Sequence, residues 1–107
     1  MYILKEGVND TMLKPQMRIA LTIMSELFDK RDLLLVVTST YEGEHSQHSL
    51  HYHHLAIDVR TRHVENGQLE ELYNEIKQKL RLVDKRYQAI LTPTHIHLEY
   101  DRRRKNG

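Results

Sequence analysis

The sequence has no cysteine, and this absence excludes several kinds of site. A disulfide framework, a zinc finger with thiolate ligands and a cysteine nucleophile all need that residue. Long apolar runs are also missing, because the longest, from Leu33 to Val37, is far too short to span a bilayer. Lys5 and Glu6 interrupt the N-terminus where a signal peptide would be apolar, so we expect synthesis in the cytoplasm without a signal. The net charge of +1 provides no overall field for nucleic acid, so we expect neither a nucleic-acid nor a membrane partner.

The composition is that of an ordinary globular domain. Of 107 residues, 39% are apolar and 29% are charged, which excludes a disordered or fibrous chain. A chain of this length buries roughly two-thirds of its unfolded surface, enough for one core. We therefore predict a single domain over residues 1–107, in which residues 101–107 form a basic, solvated tail.

The hydrophobic pattern predicts two helices and four strands. Apolar residues at helical spacing predict one helix from about Lys14 to Lys30, with Pro15 in its first turn, and a second helix from Leu69 to Leu80 after an Asn66-Gly67 turn. Strands are expected at residues 33–38, 55–60, 87–91 and 95–100, the last two as a hairpin, and residues 41–52 are expected to form a loop. This order predicts an α+β fold: an antiparallel sheet with helices packed on one side.

Histidine is abundant, with 8 in the chain, and its positions suggest a site. Strand residues two apart share a face, so His95 and His97 point the same way, opposite Ile96 and Leu98. Asp58 lies opposite Leu55, Ile57 and Val59 in the preceding strand. If those apolar residues face the helices, Asp58 and the two histidines lie together on the open face.

Two imidazoles and one carboxylate make a suitable zinc set without sulfur. Three protein ligands leave a fourth position for water, as in catalytic zinc sites, where the metal lowers the pKa of water to about 7 and polarises a carbonyl. A plainer interpretation remains open, because an H-x-H pair on a strand is usually a pair of surface histidines. The histidines from His45 to His54 are equally compatible with a polar loop.

Three segments resemble the zinc D-alanyl-D-alanine peptidase superfamily, which includes D,D-carboxypeptidases, phage L-alanyl-D-glutamate endolysins and the hedgehog domain. Residues 49–58, SLHYHHLAID, resemble its S-x-H-x-x-G-x-A-x-D motif. Residues 38–41, TSTY, resemble its T-S-x-Y segment, and residues 94–101, THIHLEYD, resemble the D-H-I-H-x-E-Y-D segment of phage-type members. The resemblance implies a hedgehog- or D,D-peptidase-like fold and a bound Zn²⁺.

The resemblance also implies roles for individual residues. His51, Asp58 and His97 match the zinc ligands, and His95 matches the histidine that stabilises the tetrahedral intermediate. Ser49 matches a serine that supports the site by hydrogen bonding. The candidate substrate-binding residues are Ser49, His45 and Tyr41.

Three positions depart from the family pattern. Thr94 stands where an acidic general base is common, His54 stands in place of the motif glycine, and Glu42 replaces an arginine. Because threonine does not serve as a general base, zinc binding is better supported than catalysis. Other candidate proton carriers are Glu42, Glu44, His45, His48 and His95.

The expected function is a zinc metallopeptidase that hydrolyses a peptide bond in the stem of peptidoglycan, as an endolysin or a D,D-carboxypeptidase. A phage-type lysis enzyme acting at the bacterial cell wall is expected by analogy. Two alternatives remain: a catalytically impaired zinc module that binds wall peptide or a protein partner, and a domain without metal. The sequence does not indicate the oligomeric state.

Overall fold

The computed structural model describes residues 1–40 and 53–104, which form five strands and two helices. In chain order the elements are β1 (Ile3–Leu4), α1 (Pro15–Asp29), β2 (Val36–Ser39), β3 (Ala56–Arg60), α2 (Asn66–Val83), β4 (Tyr87–Leu91) and β5 (His95–Tyr100). The α+β class is confirmed, and the β4–β5 hairpin lies where the sequence predicts it. None of the helices described is long and apolar enough to cross a membrane.

Helix α1 begins at proline and ends in a tight turn. Pro15 occupies a first-turn position, where its missing N–H costs no hydrogen bond. At the other end, Asp32 has a φ of 55°, and the backbone N–H of Leu33 donates to the carbonyl of Phe28 at 2.9 Å. This is a Schellman-type ending with Asp at the position that glycine usually takes. Because Leu33 belongs to this turn, the predicted strand at 33–38 begins only at Val36.

Helix α2 begins earlier than the sequence indicates. The predicted Asn66-Gly67 turn is wrong, because both residues are helical and the N–H of Leu69 already donates to the carbonyl of Glu65 at 2.7 Å. Its apolar stripe, Leu72, Ile76 and Leu80, is buried. Helical hydrogen bonding thus extends through the Asn-Gly pair, whose local turn preference does not prevail here.

The sheet is mixed, so the prediction of a purely antiparallel sheet is wrong. Its strand order is β1-β2-β3-β5-β4, and β1 pairs with β2 in parallel while the other neighbours are antiparallel. The N–H groups of Ile3 and Lys5 donate to the carbonyls of Leu35 and Val37, each at 2.9 Å. A two-residue strand carries too little alternation to be recognised in the sequence.

The two faces of the sheet differ in polarity. Both helices pack on the apolar face and form the core with it; the largest fully buried side chains there include Phe28, Met17, Ile57, Ile76, Ile96 and Leu98. The opposite face carries Asp58 and Arg60 from β3 and His95, His97 and Glu99 from β5. At the end of the described chain, the carbonyl of Arg104 accepts a hydrogen bond from Nε of Arg86 at 3.0 Å.

Candidate metal and catalytic site

Pairing of β3 with β5 positions the candidate site. In this antiparallel register, Asp58 lies opposite His97 and Arg60 lies opposite His95. The register is fixed from the other face, where Ile57 packs beside Leu98 and Val59 beside Ile96, all fully buried. A slip by one residue would turn these apolar side chains toward the polar face, so core packing determines which polar residues meet.

Asp58, His95 and His97 lie together, as the alternation of the strands predicts. Nδ1 of His97 is 2.9 Å from Oδ1 of Asp58, and Nε2 of His95 is 3.7 Å from the same oxygen. The side chains of Asp58 and His97 are only 15% and 19% exposed, whereas that of His95 is 31% exposed. Asp58 and His97 are thus a largely buried pair, and the neighbouring His95 is more exposed to solvent.

Glu99 belongs to this cluster, although the sequence analysis gave it no role. Its Oε1 lies 2.8 Å from Nε2 of His97, so the His97 ring lies between two carboxylates. The signal was present in the sequence, because His95, His97 and Glu99 alternate along β5 and therefore share one face. The H-x-H pattern therefore continues by one further alternating position, to Glu99.

The two carboxylates determine the charge of His97. Burial alone favours the neutral ring and lowers the pKa, but hydrogen bonds to Asp58 and Glu99 and the charges of both carboxylates outweigh this effect. Together they raise the pKa of His97 from 6.5 to about 9. Without metal, His97 is therefore an imidazolium at neutral pH.

His95 is oriented by two threonines of the β4–β5 turn. Its Nδ1 lies 3.0 Å from Oγ1 of Thr92 and 2.9 Å from Oγ1 of Thr94. The hydroxyl of Thr92 donates to the carbonyl of His95 at 2.9 Å, so its proton is not shared with Nδ1. The other ring nitrogen of His95, Nε2, faces Asp58.

The donor set of Asp58 and His97 fits a zinc ion in part. Glu99 contacts Nε2 of His97, so Nδ1 is the nitrogen that faces Asp58. A carboxylate that contacts the other nitrogen of a histidine ligand is the usual outer-shell partner in metal sites. Within residues 1–40 and 53–104, no group of three or more His, Asp or Glu side chains is arranged to hold a metal ion. The third predicted ligand, His51, lies outside the described residues, as do the predicted substrate-binding residues Ser49, His45 and Tyr41.

His54, at the position of the motif glycine, has left-handed backbone geometry. Its φ is 60°, a region that glycine occupies without cost and other residues rarely adopt. Its carbonyl accepts a hydrogen bond from the N–H of Lys14 at 3.1 Å, which ties the entry to β3 to the start of α1. Glycine would adopt this backbone conformation without cost, whereas His54 adopts it with backbone strain.

Comparisons with known proteins do not assign this chain to a family. No family model matches it, and neither the curated proteins nor the solved structures include a match. The functional argument therefore depends on the arrangement of the residues and on the motif resemblance described above.

We expect His54→Gly to be more stable than His54→Ala. Both variants lose the imidazole, but only glycine relieves the left-handed backbone, which costs other residues about 1–2 kcal/mol. The greater flexibility of glycine in the unfolded chain offsets part of this gain. The free energy of unfolding from urea titration of both variants tests the prediction, and a less stable glycine variant would contradict it.

We also expect Glu99→Gln to lower the pKa of His97 below its value of about 9 in protein kept metal-free with a chelator. The amide keeps the shape of the carboxylate but loses its charge. Since the folded-state pKa lies above the ordinary 6.5, the stability that protonated His97 contributes is fully present below pH 6.5 and is lost as the pH rises through about 9. The substitution should make that loss smaller.

Titration of the His97 ring by NMR measures this pKa directly, and urea unfolding at several pH values measures the linked stability. Glu70→Gln is the matched control, because Glu70 is an exposed residue of α2 on the far side of the sheet. An unchanged His97 pKa in Glu99→Gln would show that Glu99 does not act on the ring.

Proposed function

We propose that this protein is a zinc-dependent metallopeptidase that hydrolyses a peptide bond in the stem peptides of peptidoglycan. The observation that carries the proposal is the Asp58–His97 pair, a carboxylate and an imidazole 2.9 Å apart on neighbouring strands. The pair lies on the polar face and is only partly exposed, so a cation bound there would still be accessible to a substrate. The three-segment motif resemblance gives the reaction class and the substrate, and it favours a phage-type lysis enzyme acting at the bacterial cell wall.

In this proposal Asp58 and His97 hold Zn²⁺ together with His51. When bound, zinc activates a water and polarises the scissile carbonyl. Glu99 holds Nε2 of His97 and thereby keeps the ring turned so that Nδ1 is directed toward Asp58. Binding requires loss of the His97 proton, so zinc should bind more tightly as the pH rises.

His95 is the proposed catalytic residue. Its Nε2 lies 3.7 Å from the carboxylate of Asp58, one of the proposed metal ligands. A donor in that place stabilises negative charge as it develops on the carbonyl oxygen. Thr94 then serves as a positioning residue, because its hydroxyl holds Nδ1 of His95.

The proposal is tested with untagged protein loaded with zinc and incubated with purified murein. Wild-type protein should bind one zinc and release new amino groups, and His97→Ala should lose both properties because a ligand is missing. His63→Ala is the matched histidine control: His63 is exposed and its Nε2 meets the carbonyl of Leu34 at 2.7 Å, so this variant should retain both. No release of amines above the His97→Ala level would refute the peptidase.

A second candidate is a zinc-binding module that recognises wall peptide or a protein partner without cleaving it. Thr94 favours this candidate, because its hydroxyl is engaged with His95 and the position lacks the acidic base. Stoichiometric zinc without release of amines would support it. Substoichiometric zinc that does not change in His97→Ala would refute both candidates and favour a domain without metal.

Thr94→Asp separates an impaired enzyme from one with another base. If a base is missing, the new carboxylate should raise turnover of murein by roughly 10²-fold, the lower end of what general bases contribute. Thr94→Asn is the control, because it has the same shape without the charge. A loss of turnover, or none gained, would show that the missing carboxylate does not limit the reaction.

A further inference from the structure

A cavity of about 270 Å³ opens beside the candidate metal site and is lined by cationic side chains. Lys5, Arg60 and Arg62 contribute three positive charges, and the hydroxyl-bearing Thr38 and Thr94 complete a polar wall with His95. No Asp or Glu side chain lines this cavity within the described part of the chain. Its chemistry is therefore opposite to that of the carboxylates around His97.

The sheet determines how close the cavity lies to the candidate site. Arg60 is two residues beyond Asp58 on β3, on the same face, and it lies opposite His95. Two residues along a strand correspond to roughly 7 Å. Lys5 is brought in by the parallel β1–β2 pair, where its N–H donates to the carbonyl of Val37 at 2.9 Å. The cavity thus begins about one residue pair away from the Asp58–His97 pair and shares His95 with the candidate site.

The charges of Lys5, Arg60 and Arg62 are not neutralised by other described residues. None of the three side chains has an ion pair or a hydrogen bond with the rest of the described chain. Like charges gathered around one cavity repel each other, and an anion between them relieves that repulsion. Arginine suits a carboxylate in particular, because its planar fork matches the two oxygens.

We propose that this cavity, called here the basic pocket, binds a carboxylate of a peptide substrate within one or two residues of the cleaved bond. An extended peptide spans about 3.3–3.6 Å per residue, so such a carboxylate reaches roughly 7 Å from the reacting carbonyl. The pocket then fixes the position of the peptide relative to the Asp58–His97 pair. Identification of the ligand as a substrate rests on the proposed function, whereas the recognition of a carboxylate rests on the pocket alone.

The experiment uses metal-free protein, so that its outcome does not depend on zinc or on hydrolysis. The probes are N-acetyl-alanyl-alanine, its C-terminal amide and inorganic phosphate, each titrated while the backbone amide signals of Arg60, Arg62 and His95 are followed by NMR. The carboxylate peptide should shift these signals in a saturable way, and the amide should not. Added salt should weaken the binding, because the charges of the pocket are exposed to solvent.

Two substitutions localise the binding. Lys5→Gln and Arg60→Gln should each lower the affinity for the carboxylate peptide by roughly two- to fivefold. This is the range expected for loss of a partly exposed ion pair. Lys79→Gln makes the same chemical change as Lys5→Gln on an exposed part of α2, behind the apolar face, and should leave the affinity unchanged. Equal binding of the amide, or unchanged affinity in both pocket variants, would overturn the proposal.

Phosphate distinguishes the possible sources of the anion. If phosphate shifts the same signals at a lower concentration than the peptide does, the pocket is a phosphate site and the assignment to a peptide carboxylate is wrong. Carboxylate binding without zinc uptake or murein hydrolysis would refute the proposed function and leave the pocket established. Murein hydrolysis without carboxylate binding would refute the basic pocket and leave the proposed function supported.

Discussion

The register between β3 and β5 is the constraint on which the rest of the molecule depends. Val59 packs beside Ile96 and Ile57 beside Leu98 on the buried face, and this packing places Asp58 beside His97 on the other face. The energetic basis is hydrophobic burial, which amounts to about 25 cal/mol per Å² of apolar surface. Apolar packing on the buried face thus positions the polar side chains on the other face. The polar residues themselves do not have to fix the strand alignment.

The cluster around His97 favours a positive charge on the imidazole ring. Two carboxylates approach the two nitrogens of one ring, and in the absence of metal a proton supplies the positive charge that they favour. A divalent ion on the Asp58 side would satisfy the same negative charge while Glu99 continues to hold Nε2. Under the proposed function, a proton and a metal ion would compete for one nitrogen, Nδ1, and the carboxylates would stabilise either occupant.

The polar face carries two regions of opposite charge side by side. Carboxylates surround His97, whereas Lys5, Arg60 and Arg62 surround the neighbouring cavity, and His95 belongs to both regions. Such an arrangement would orient a bound molecule that carries charges of both signs. The arrangement follows from alternation, which sets Arg60 two residues from Asp58 on the same strand.

The sequence by itself determined the elements with strong periodicity: α1, the β4–β5 hairpin, and the common face of Asp58, His95 and His97. Such patterns repeat over many residues, so local information suffices to predict them. Only the tertiary structure decided the parallel β1 strand, the helical start at Asn66 and the approach of Lys5 to Arg60. The β1 pairing and the approach of Lys5 to Arg60 join residues far apart in the chain and leave no pattern in a single segment, and the start of α2 departs from the local preference of its Asn-Gly pair.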